Sequence, residues 1–105
     1  MNKKVRQVIR HDDGDFKEFY FFKIGEPCKE TTNRYGIRFS MPTYFNDKDG
    51  ADIYEHDTLE VGGKYFSVVF SDGAYKMKGD SGIIYPIIPD IVKVLGHIYD
   101  RSNKY

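Results

Sequence analysis

The sequence has no tryptophan, one cysteine and only two alanines, Ala51 and Ala74, among 105 residues. Each shortage excludes something. A single thiol, Cys28, cannot close an intrachain disulfide and suits a reducing compartment. The scarcity of alanine removes the strongest helix former. Sixteen basic and sixteen acidic side chains cancel, so no overall field draws the chain to nucleic acid or to an anionic membrane. No apolar run approaches the roughly 20 residues of a membrane helix. The stretch Met1-Asn2-Lys3-Lys4-Val5-Arg6 is charged and lacks the apolar segment of a signal peptide, so a cytoplasmic location is expected. The glycines sit in turn contexts and form neither a phosphate-cradling loop nor a dinucleotide fingerprint.

What the chain has in quantity is aromatic: nine tyrosines and eight phenylalanines. Such side chains fit a pleated, half-buried surface better than a helix, and the expected class is all-β. The length fits one domain with a single core. Residues 3–10 read as a short strand, and Asp12-Asp13-Gly14-Asp15 as a turn. Residues 16–24 (FKEFYFFKI) form the next strand. One face carries Phe16, Glu18, Tyr20, Phe22 and Ile24, the other Lys17, Phe19, Phe21 and Lys23. The first is the better core face; aromatics on the second imply cover on both sides or a partner. Pro27 ends that strand, and residues 34–40 alternate as a half-buried strand with Tyr35, Ile37 and Phe39 inward. From Thr58 onward turn signals recur roughly every 8–12 residues, the rhythm of a small barrel. Gly62-Gly63 suits a tight hairpin turn, and Pro86 and Pro89 keep residues 83–90 off a central strand.

The run from Tyr44 to Val61 organises the rest. It holds a polar turn, Asp47-Lys48-Asp49-Gly50, an anchor, Ile53-Tyr54, an acidic turn, Glu55-His56-Asp57, and a strand start, Thr58-Leu59-Glu60-Val61. Together with Val94-Leu95-Gly96-His97-Ile98-Tyr99-Asp100, this order resembles the YopX family of phage and prophage proteins. Those carry a "TGLKDKNGKEIYEGDIV"-like run and close on a "VIGNIYENPE"-like strand. The resemblance implies a small SH3-like barrel over residues 44–99, and the strand and turn pattern of residues 1–43 adds an expected N-terminal β-hairpin extension. The first forty residues depart from the family, whose basic-aromatic start is missing here, and Thr43-Tyr44-Phe45-Asn46-Asp47 lacks the glycine of its "TGLKD" counterpart. The barrel core is expected from Ile53, Tyr54, Leu59, Val61, Val68, Phe70, Leu95 and Ile98.

Several groups could carry chemistry. His56-Asp57 could serve as a base or half of a metal site, but neighbours on an extended chain point apart. The family pattern usually has glycine at the position of His56, which implies a turn. Asp47, Asp49 and Asp52 do not match calcium-loop spacing, because counting back from Gly50 puts Phe45 at the first ligand position. His11 with Asp12, Asp13 and Asp15 reads as a solvated turn, and Cys28 beside Lys29 as an incidental thiol. No catalytic set, metal site or cofactor is expected. Interleaved aromatic and basic residues near Phe16–Lys23, with Arg34, Tyr35 and Arg38, could stack single strands or a nucleotide, or could be core with snorkelling lysines.

The expected function is therefore that of a phage-encoded, non-catalytic binding protein, acting in counter-defence or host takeover inside a bacterial host. Its partner would be a host protein or a host nucleotide signal. The alternative is a nucleic-acid-associated accessory module of phage DNA metabolism. The expected binding residues are Phe19, Phe21, Lys23, Arg34 and Arg38, since aromatics load both faces of one strand there. Open edges and aromatic patches further imply a homo-oligomer.

Overall fold

In a computed structural model, which describes residues 3–30 and 36–98, the protein is all-β. β1 (Val5–Arg10) and β2 (Phe16–Phe22) form an antiparallel hairpin across the acidic turn, and β3 (Arg38–Ser40) pairs on the other side of β1, giving the order β2-β1-β3. β4 (Pro42–Asn46) and β5 (Asp52–Tyr54) form a two-stranded ribbon. β6 (Asp57–Val61), β7 (Lys64–Ser71), β8 (Ala74–Gly79), β9 (Ile84–Pro86) and β10 (Lys93–His97) make a five-stranded sheet of order β10-β6-β7-β8-β9. β6 to β9 run as a meander, β10 returns to pair beside β6, and the edges β9 and β10 are not joined to each other by these pairings. Arg34, Tyr35 and the tail after Ile98 lie outside the described residues. No helix among them is long and apolar enough to cross a membrane.

Turn chemistry sets the registers. Gly62 and Gly63 take φ of 57° and 83°, the paired positive values a tight β6–β7 hairpin requires, and Val61 lies opposite Lys64. Gly50, at φ 86°, closes the β4–β5 turn, which Asp47 braces by accepting the amides of Asp49 and Ala51 at 2.9 and 2.8 Å. The second oxygen of Asp47 accepts the Val94 amide at 2.9 Å, tying the ribbon to β10. His56 sits at φ 73°, a left-handed turn position, in keeping with the glycine of the resembling family.

The main core is Ile53, Leu59, Val68, Met77, Ile87 and Val92, with Val61, Phe66, Tyr75 and Val94 packed against it. Tyr54 is also buried. Three expected core residues are not. Leu95 is the extra residue of a β-bulge between Val94 and Gly96, so Val94 faces Leu59 and Leu95 turns out. Phe70 shares the phase of Val68 but sits beside the turn of the β7–β8 hairpin, opposite Tyr75 and edge-on to its ring, and is exposed. Ile98 follows the last strand and is exposed. Residues 83–90 resolve into the edge strand β9, with Ile87 alone reaching the core.

The N-terminal sheet reverses two phases. Ser40 is buried while Ile37 and Phe39 are exposed, because Ser40 lies opposite Arg6 on the face that meets the rest of the fold. Phe19 and Phe21 share that inner face with Arg6 and Val8, whereas Tyr20 and Phe22 share the outer one with Val5, Gln7 and Phe39. The outer face is part-covered by a loop that Gln7 holds: its amide donates to the Lys29 carbonyl at 2.7 Å and accepts the Lys29 amide at 2.8 Å.

The bulge makes a clear energetic contrast. Leu59→Ala, at a fully buried position, should cost roughly 2–5 kcal/mol, and Leu95→Ala less than about 1 kcal/mol. Urea unfolding of both variants measures the difference, and equal losses would place Leu95 in the core. Gly50→Val should cost about 1–3 kcal/mol through the positive φ alone, since nothing crowds the position.

Candidate functional site

Arg6 is where the two halves meet. It sits mid-strand in β1 with 5% of its surface exposed. Its Nη1 donates to Asp57 Oδ1 at 2.6 Å, and its Nη2 to the Glu55 carbonyl at 3.1 Å and Ser40 Oγ at 3.4 Å. The rings of Phe19 and Tyr54 take the guanidinium at 4.1 and 4.7 Å from their centroids, a cation–π contact with little water to weaken it. Asp57 turns its other oxygen to the Tyr54 amide at 2.8 Å. Burial pushes the Asp57 carboxyl above its ordinary value, and the charge of Arg6 and the two donors pull it back only in part.

Around this pair opens a cleft of about 650 Å³ lined in part by Lys3, Lys4, Phe21, Tyr54 and His97. His97 packs on Phe16 and Phe19, with centroids 4.5 and 4.6 Å apart. Lys3 pairs with Asp52, and the Tyr54 hydroxyl donates to the Lys4 carbonyl at 2.7 Å. Most of the cleft's charges are thus engaged in joining the sheets.

The outer face of the N-terminal sheet is different in kind. Tyr20 and Phe22 stack at 6.3 Å, and Phe39 meets Phe22 edge-on at 5.7 Å. Tyr20 and Phe39, which flank Phe22, are 39 and 41% exposed, and Ile37, just before β3, is 47% exposed.

The expected binding residues are split by this geometry. Phe19 is half-buried between Arg6 and His97, where it packs within the fold. Phe21 is exposed at the cleft's rim, edge-on to Tyr54 at 5.9 Å. Arg38 is exposed on β3, across Val8 from Phe19, and so shares their face. Lys23 is exposed just beyond β2, its amide donating to the Glu26 carboxylate at 2.7 Å. Arg34 lies outside the described residues. Of the other candidates, Asp47 spends its carboxylate on backbone amides, and His11 caps the acidic turn through its backbone. Among the described residues no three His, Cys, Asp or Glu side chains gather as a metal site. Reading the sequence missed Arg6 and the pairing role of Asp57. No signal in the sequence singled it out, since Arg6, Gln7 and Arg10 alternate with Val5, Val8 and Ile9 as ordinary polar residues of one strand.

No protein-family model matches the chain, and no curated protein matches it. The likeness to the YopX family therefore rests on the residues quoted for it.

Two outcomes test the junction. Asp57→Ala leaves a buried guanidinium uncompensated and should cost about 3–5 kcal/mol, whereas Arg6→Met with Asp57→Leu should cost less than the single change. Chemical unfolding of the three proteins decides it. Asp47 responds to pH in the opposite sense to a buried, poorly solvated acid. Burial raises its pKa, but the Val94, Ala51 and Asp49 amides and Lys93 outweigh that and hold it below its ordinary 3.8. Its ionised form therefore contributes stability above that value, lost as the pH falls through the folded-state pKa. Asp47→Asn should be less stable at neutral pH and lose less on acidification below about pH 4.

Proposed function

We propose that this chain is a non-catalytic binding protein, of the kind phages encode, that engages a protein of the host cell through the outer face of its N-terminal sheet. One observation carries the reading. The charges at the sheet junction are mostly committed to each other, while Tyr20 and Phe39 stand open on either side of Phe22, whose ring meets both. Aromatic side chains bury large areas at little entropic cost, which is what recognition of a protein surface needs. Lys23 lies exposed just beyond β2 and supplies part of a polar rim, whereas Arg38 stands on the opposite face of the sheet, with Val8 and Phe19. The phage setting comes from the likeness of residues 44–99 to the YopX family.

The deciding experiment is an infection or defence assay paired with affinity capture of the host partner. Tyr20→Ala with Phe39→Ala, in a variant shown to be folded, should weaken capture by about 2 kcal/mol or more and abolish the phenotype. Full activity of that variant would remove the surface from consideration. Salt-dependent binding of single-stranded DNA by the wild type, lost in the same variant, would favour the nucleic-acid reading instead.

A further inference from the structure

A second cleft, of about 520 Å³, opens on the face of the five-stranded sheet turned away from its core. Leu59, Val68 and Met77 point into that core, so the residues beside them, Thr58, Ser67 and Lys78, point out on the other side. Pairing sets these three in one row: Thr58 lies opposite Ser67, and Ser67 opposite Lys78. All three line the cleft, together with Tyr65, which precedes Ser67 by two residues and shares its face.

Thr58 is the informative member. It is only 6% exposed, yet its hydroxyl has no hydrogen-bond partner among the described residues. A hydroxyl so placed takes its partner from whatever fills the cleft. Ser67 is half-buried and its hydroxyl is likewise unbonded, and Lys78 is exposed and pairs with no carboxylate among the described residues.

We propose that this cleft binds a nucleotide, its phosphate on Thr58, Ser67 and Lys78 and its base against Tyr65. Neighbouring strands stand about 5 Å apart, so two hydroxyls and an ammonium on adjacent strands converge on one group. A phosphate monoester presents three terminal oxygens, one for each donor, where a carboxylate presents two. Lys78 supplies the charge that makes such bonds strong. The register that sets Phe66 opposite Gly79 carries Tyr65 and Asp80 together to the other end of the cleft, which both line. The Asp80 carboxylate repels a phosphate and accepts N–H or O–H donors, so that end suits a base and sugar. The exposed ring of Tyr65 gives the base a flat surface to stack on. The cleft shares no lining residue with the outer face of the N-terminal sheet, and its fate is separate from that of the host-protein reading.

The test is an NMR titration of the purified full chain with adenosine monophosphate, inorganic phosphate and adenosine. The nucleotide should shift the amides of Thr58, Ser67 and Lys78, and phosphate should shift the same amides more weakly. Adenosine should bind at least about tenfold less tightly than its monophosphate. Thr58→Val keeps the shape and removes the hydroxyl, and Lys78→Met removes the charge; each should weaken nucleotide binding at least about tenfold. Because the Thr58 hydroxyl makes no bond within the described fold, Thr58→Val should melt no lower than the wild type, which a structural hydroxyl would not allow. No amide shift with millimolar nucleotide would overturn the proposal and leave solvent as the partner of Thr58. So would undiminished binding by the Thr58→Val chain, or adenosine binding as tightly as its monophosphate.

Discussion

The structure depends on a buried ion pair between Arg6 and Asp57. Neither charge could leave water alone, since an isolated ion in a protein interior costs several kcal/mol. Each therefore comes with further partners: Asp57 with the Tyr54 amide, and the two terminal nitrogens of Arg6 with a carbonyl and a hydroxyl, between two aromatic rings, while its buried Nε alone goes without a hydrogen bond. The arrangement does what an apolar contact would not. It fixes one orientation of the N-terminal sheet on the five-stranded sheet, because a guanidinium fork tolerates little rotation against a carboxylate.

That orientation decides which face of β2 looks inward. Once Arg6 points to Asp57, strand pairing carries Phe19 and Phe21 to the same side, and Tyr20 and Phe22 are left on the other. The open aromatic row is thus a consequence of where one arginine points. The small size of the chain reinforces it, since a domain of this length buries too little surface to hide seventeen aromatic rings.

Much of the architecture was legible in the sequence. The all-β class followed from aromatics without alanine, and two of the turns from Gly50 and Gly62-Gly63, whose geometry is local. Of the main core, Ile53, Leu59 and Val68 were readable, while Met77, Ile87 and Val92 were not among the residues expected there. Leu95 was misread, because a bulge adds one residue and alternation counts through it blindly. The faces of β2 were not legible either. Both carry aromatics, so period alone could not rank them, and the deciding contact joins Arg6 to Asp57, 51 residues apart. The ion pair itself has no sequence signature: Arg6 and Asp57 are ordinary charged residues until the chain brings them together.

Gln7 adds a different lesson. Fully buried, its carboxamide exchanges two hydrogen bonds with the backbone of Lys29, the same donor–acceptor pair that one strand offers another. A side chain here imitates a peptide group. The loop is read through its main chain alone, by an amide that is indifferent to which residue supplies the N–H and the C=O. The side chains at and around position 29 are consequently free to be rewritten without loosening the anchor. An attachment point blind to side-chain identity lets the exterior of such a protein change quickly while its frame stays put.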